Sequence, residues 1–154
     1  MNEAVIFIVT LAGLGELPFA PGMAAVLGAG WGWWLRSHTK YWYYILILQV
    51  ILAIIITNIA AAMIGKDPFC VVIDEFVAAG FLVLSSLRVI HVAASLTLFI
   101  LFDYLKILGI HAVERLPGGF GIVLDDIAAA SIAIALILLV SKVSKLLEGS
   151  KGKV

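Results

Sequence analysis

Between Lys40 and Lys66 the chain runs for 25 residues without a charge, YWYYILILQVILAIIITNIAAAMIG. A bilayer core is spanned by ~20 predominantly apolar residues of helix, and inside it every backbone N–H and C=O must be satisfied within the segment. The stretch therefore demands a transmembrane helix, and the rest of the chain has to fold around it. Composition agrees. Of the 154 residues 64% are hydrophobic and 13% charged, with a mean hydropathy of +1.18, whereas soluble domains are roughly half apolar and about a quarter charged. The length suits a single membrane-embedded domain, residues 1–141. Serine, glycine, Lys151 and Lys153 then mark 142–154 as a solvated C-terminal tail.

Several classes of function fall away at once. Ten basic residues balance ten acidic ones, so the basic excess that nucleic-acid binding requires is missing. A lone cysteine, Cys70, excludes an intrachain disulfide framework and a cysteine-based zinc site. His38, His91 and His111 show no metal-ligand spacing. The N-terminus has no basic n-region, and no cleaved signal peptide is expected.

The remaining apolar runs are Ala4 to Ala12, Met23 to Leu35, Phe76 to Leu87, Val92 to Phe102 and Ile127 to Val140. Each falls short of a full span, although tilt and re-entrant packing extend such runs. Ser85, Ser86 and Arg88 divide the region from 76 to 102 into two short helices. Trp31, Trp33, Trp34 and the cluster from Tyr41 to Tyr44 belong at a membrane interface. The expected fold is all-α, an integral membrane bundle of about four to six helices, some of them short or re-entrant. If the six apolar elements alternate in direction, one end of the bundle collects eight acids against three bases. The other collects seven bases, including Arg36, Lys40, Arg88, Lys142 and Lys145, against Glu3 and Glu148.

Ionisable groups at membrane depth are expensive, and where several converge they mark a functional site. Four clusters do so at the acidic end. Asp67 followed by Pro68 is a suitable N-cap and first residue for a helix, and Asp74 with Glu75 comes two turns later on the same face. Asp103 and Lys106 are spaced i, i+3, right for an ion pair. Asp125 and Asp126 follow the glycine-rich entry PGGFG, whose lack of side chains permits close backbone approach. A kinked break, GLGELPFAPG, separates the first two apolar runs. Adjacent carboxylates repel unless a cation or proton stands between them, and hard oxygen donors favour Mg²⁺ over zinc or copper. Phosphoryl transfer is the natural chemistry of such a set, with Lys106 offering a positive charge to the phosphate.

These blocks resemble the phosphatidylglycerophosphatase A family of membrane phosphatases. KDPFCVVIDEF (66–76) is similar to its Asp-x-x-x-Ile/Val-Val-x-Asp-Glu block, FDYLK (102–106) to Phe-Asp-x-x-Lys-Pro, and GGFGIVLDDIAAA (118–130) to Gly-Gly-x-Gly-Ile-x-x-Asp-Asp-x-x-Ala-Gly. GLGELPFAPGMAAVL (13–27) resembles its glycine- and proline-rich opening. The resemblance implies a Mg²⁺-dependent phosphatase acting on the terminal phosphate of phosphatidylglycerophosphate, in the plasma membrane with its site facing the cytoplasm. By position, it implies catalytic roles for Asp74, Glu75, Asp103, Lys106, Asp125 and Asp126. Metal ligation falls on Asp67, Asp74, Glu75, Asp125 and Asp126, with Asp103 or Asp67 as a further ligand or general base. Substrate binding falls on Gly22, Lys106 and Arg115.

The chain also departs from the family pattern. Met23 stands where threonine is usual, Ile100 where arginine is usual, Ile107 and Gly109 replace prolines, and Pro117 replaces a histidine. Arg88 or Arg115 would have to supply the missing guanidinium. The departures leave room for other substrates, such as an ether-lipid phosphate or a membrane-made cobamide phosphate, and for a non-enzymatic scaffold. The positive-inside rule would place the basic end in the cytoplasm, against the side implied by the resemblance, which we weight more heavily.

Overall fold

The computed structural model describes residues 2–65, 69–106 and 109–151, all of it helix, turn or irregular chain. Seven α-helices follow one another: α1 (Asn2–Val9), α2 (Ala20–His38), α3 (Trp42–Ile64), α4 (Ile73–Gly80), α5 (Val89–Leu105), α6 (Ile110–Glu114) and α7 (Gly119–Lys151). Short 3₁₀ turns, Leu14–Glu16 and Phe81–Leu84, precede α2 and extend α4. The all-α class expected from the sequence is thus observed, with seven helices among the described residues in place of four to six.

Among the described residues two helices are long and apolar enough to cross a membrane, α3 and the stretch of α7 from Gly119 to Glu148. The second exceeds expectation, because the aspartate pair does not end the apolar run. Both carboxylates turn into the bundle, where Asp125 and Asp126 are 2% and 3% exposed, so the outer face of α7 stays apolar. The helix also continues past residue 142 as far as Lys151, with 142–148 largely exposed. α3 presents Ile47, Leu48, Ile51, Leu52, Ile55 and Ile59 outward, an arrangement suited to lipid tails, which are as apolar as these side chains.

The core is built largely from small residues. Ala25, Ala29, Ala78, Ala79, Ala129, Ala130 and Ala133 surround Leu82, Phe99, Phe102 and Ile110. Small interfacial residues let membrane helices approach until their backbones touch. Closest are α2 and α4: a Cβ on Gly28 would lie 2.7 Å from the carbonyl carbon of Phe76, and one on Gly32 2.8 Å from that of Gly80. α7 meets α3 similarly, since a Cβ on Gly119 would lie 2.6 Å from the Asn58 nitrogen. The glycine-rich entry to α7 is therefore a packing surface, fixed by a hydrogen bond from Gly119 N–H to Asn58 Oδ1 at 3.3 Å.

Two local expectations are corrected. The helix expected from the Asp67–Pro68 signal, which lies outside the described residues, starts only at Ile73, as α4. Residues 69–72 are turn and irregular chain, and Val72 N–H donates to Val9 C=O at 2.9 Å. Nor does α1 cross the bundle. Its eight residues cover only ~12 Å, and Leu11, Ala12 and Gly13, all at positive φ, turn the chain back. Glu3 and Glu16 consequently line one cavity, so Glu3 lies with the acidic end and not with the bases.

Candidate active site

Three helices, α4, α5 and α7, bring carboxylates to a single cavity of about 340 Å³. Asp74 and Glu75 sit in the first turn of α4, where negative charge is favoured by the helix dipole. Asp125 and Asp126 lie in the second turn of α7. Asp103 closes the last turn of α5, and Lys106 caps that helix in the left-handed region, φ 47° and ψ 36°, its N–H returning to Phe102 C=O. A non-glycine residue held there stores strain of the kind found at functional sites. This cap swings the lysine side chain back over the helix end.

Two oxygen clusters result. Ligand atoms of Asp74, Glu75 and Asp126 lie within 4.8 Å of one another, and so do those of Asp103, Asp125 and Asp126. Asp126 belongs to both. Its Oδ2 is buried and accepts no hydrogen bond among the described residues, leaving it open to a cation. Lys106 Nζ donates to Asp103 Oδ1 at 2.7 Å and also to Asp125 Oδ2. Burial alone would push the Lys106 ammonium down, but the hydrogen bonds and charges of Asp103 and Asp125 outweigh it and hold the pKa well above its ordinary value. The lysine is a fixed positive charge.

With all groups ionised, five carboxylates face one ammonium in this cavity. Asp74, Asp125 and Asp126 are almost fully buried, and burying unneutralised charge costs several kcal/mol per ion. A hard divalent cation fits both the deficit and the all-oxygen donor set.

Of the residues singled out in the sequence, Asp74, Glu75, Asp103, Lys106, Asp125 and Asp126 all line the cavity. Asp67 lies outside the described residues. Gly22 does not line it, although its neighbour Pro21 does, and neither Arg115 nor Arg88 is there. Arg115 is exposed after α6, while Arg88 begins α5 at the opposite end of the bundle. No arginine lines the cavity among the described residues, and Lys106 is its one cation there.

The remaining wall is apolar: Phe69, Val71, Ile100, Tyr104 and Ile122. Phe69 and Tyr104 are 76% and 84% exposed, so the wall opens outward. Sequence reasoning did not assign these residues, because their significance lies in what they stand beside. Ile100 had a signal, as the position where the resembled family carries arginine. Three residues before Asp103 on α5, it shares that face of the helix.

Residues 7–141 match the family model of phosphatidylglycerophosphatase A. A protein of Bacteroides thetaiotaomicron named "Putative phosphatidylinositol-3-phosphatase" is 32% identical over 143 residues, covering 86% of this chain and 90% of that protein. No solved structure matches the chain significantly.

Proposed function

Because the chain belongs to the phosphatidylglycerophosphatase A family and is a lipid phosphatase hydrolysing phosphomonoesters, we propose that it removes the terminal phosphate of phosphatidylglycerophosphate with Mg²⁺ at the Asp126-centred cavity. One observation carries this reading: two carboxylate clusters sharing Asp126, with a fixed ammonium beside them, open onto an apolar wall at a helix-bundle end. An amphiphile with a phosphate at its polar tip matches both halves.

Asp74, Glu75, Asp125 and Asp126 would hold Mg²⁺, which when bound neutralises phosphate oxygens and the charge that develops on them. Lys106 binds the phosphate. An ammonium has three donors, and with two engaged by Asp103 and Asp125 the third remains for a phosphate oxygen. Asp103, only half-buried at the rim, would accept a proton from an attacking water. Phe69, Ile100 and Tyr104 orient the glycerol and acyl portion and keep bulk water from that side.

A panel of phosphomonoesters tests the assignment. Purified protein should release phosphate from phosphatidylglycerophosphate faster than from phosphatidylinositol-3-phosphate, the substrate class in the relative's name, or from a water-soluble phosphomonoester. Preference for phosphatidylinositol-3-phosphate would reassign the headgroup, and preference for the soluble ester would remove the role given to the apolar wall.

We place the carboxylate end at the cytoplasmic face of the plasma membrane, where the family's substrate is made. The basic residues at the opposite end favour the reverse orientation. An impermeant thiol reagent applied to a Cys70→Ala, Lys151→Cys protein in intact cells should label Cys at 151, and protection from the reagent would reverse the placement.

A further inference from the structure

The end of the bundle away from the carboxylates holds a second polar cavity, of about 330 Å³, lined chiefly by Ser85, Arg88, His91, Ser141, Lys142 and Lys145. It is remote from the first. Arg88 and Asp103 bracket α5 about 22 Å apart, and Ser141 lies about 24 Å along α7 from Asp125, at ~1.5 Å per residue. Ser141, Lys142 and Lys145 belong to adjoining turns of α7, which presents its two lysines toward Arg88 across the gap.

The cavity has the charge of an anion site. Among the described residues no carboxylate lines it, and Arg88, Lys142 and Lys145 have no ion-pair partner there. The start of α5 adds to the positive potential, since the first amides of a helix lack intrahelical acceptors. The backbone there is held in place: Arg88 N–H donates to Ser86 Oγ at 3.0 Å, and Ser85 is tied to Ser95 at 3.0 Å.

Its surroundings say which kind of anion. Val89 and Ile90, directly after Arg88, are 72% and 71% exposed, and Leu138 on α7, which borders the cavity, is 47% exposed. Trp33 donates its indole N–H to Leu87 C=O at 3.3 Å, so an aromatic of the interfacial belt stands against the same loop. A free anion would use the cations and leave this apolar rim to water. A phospholipid would cover both, with its phosphate among the cations and its acyl chains along Val89, Ile90 and Leu138.

We propose that this cleft binds the phosphate headgroup of an anionic phospholipid at the membrane face opposite the carboxylate site. The assignment does not depend on the substrate reading.

The test uses full-length protein in phosphatidylcholine nanodiscs, with EDTA present so that the carboxylate cavity offers no divalent cation to a lipid phosphate. Spin-labelled phosphatidylglycerol and spin-labelled phosphatidylcholine are compared by the motionally restricted fraction of each. Arg88→Gln, Lys142→Gln and Lys145→Gln should each lower the preference for phosphatidylglycerol about fivefold, the worth of one interfacial cation. Lys40→Gln, at the same end but outside the cleft, should change it less than twofold, and inorganic phosphate should not displace the label. All four side chains are exposed, and retained helicity confirms that each variant is folded. Equal losses in Lys40→Gln and the cleft variants would mean a diffuse surface charge and overturn the proposal. So would the absence of any preference in the unmodified protein, and displacement by inorganic phosphate would show a free-anion site in place of a lipid site.

Discussion

Gly28→Ala should cost this protein its activity although residue 28 touches no catalytic group. The added Cβ would lie 2.7 Å from the carbonyl carbon and 2.9 Å from the Cα of Phe76, whereas carbon atoms rest at ~3.5–4.0 Å. The obstacle is backbone, which no rotamer change relieves, so α4 must move off α2 by about 1 Å. Overpacking of this kind costs about 1–3 kcal/mol. The catalytic consequence is larger. Phe76 directly follows Asp74 and Glu75, so the same displacement carries both carboxylates away from Asp126, and misplacement by ~1 Å costs on the order of 10²-fold in rate. Gly30→Ala is the control: a Cβ there meets nothing within 4 Å, and replacing a mid-helix glycine should stabilise by about 0.5–1 kcal/mol. The assays are thermal melting in detergent and phosphate release at saturating Mg²⁺. If Gly28→Ala turns over like the unmodified protein while Gly30→Ala does too, the α2–α4 contact does not position the site and the reasoning fails.

Three further substitutions probe the site and its support. Lys106→Gln removes the fixed ammonium and should lower kcat/KM by about 10²-fold, as loss of one preorganised donor does; an unchanged value would take phosphate binding away from this residue. Ile100→Arg adds a guanidinium to a cavity whose described lining has no arginine, and kcat/KM for phosphatidylglycerophosphate should rise several-fold through a lower KM, about what one exposed charge-assisted hydrogen bond supplies. A rise in KM instead would show that the apolar wall is needed there. Asn58→Ala removes the acceptor for Gly119 N–H, worth ~1 kcal/mol, and should lower the melting temperature by about 2–4 °C with the chemistry intact.

The helical membrane class was legible because an uncharged run of 25 residues admits no other backbone solution. The carboxylate constellation was legible because adjacent acids are costly beside apolar segments, and the pairs 74–75 and 125–126 stand out in so uncharged a chain. What escaped depends on contacts distant in sequence. Treating Asp125 and Asp126 as the end of an apolar run shortened α7, since period and charge cannot tell an aspartate that faces the bundle from one that leaves the membrane. The helix start expected at Pro68 followed a sound local rule, but Val72 bonds to Val9, a partner no window around residue 68 contains. Counting alternating crossings put Glu3 on the wrong end, because α1 turns back after eight residues. Asn58 lies 61 positions from the glycine it supports, in a segment that otherwise reads as plain lipid-facing helix.

Asp126 is shared by two oxygen clusters, which we assign to a divalent cation. The most direct test is phosphate release from phosphatidylglycerophosphate as a function of Mg²⁺ in the unmodified protein and in Asp126→Asn, which keeps the side chain's shape and removes its charge. The prediction is saturable dependence on Mg²⁺, abolition by EDTA with recovery on adding the metal back, and loss of at least about 10²-fold in the variant, with unchanged helicity. Turnover that survives EDTA, or an Asp126→Asn protein that keeps its rate at the same Mg²⁺ concentration, would contradict it.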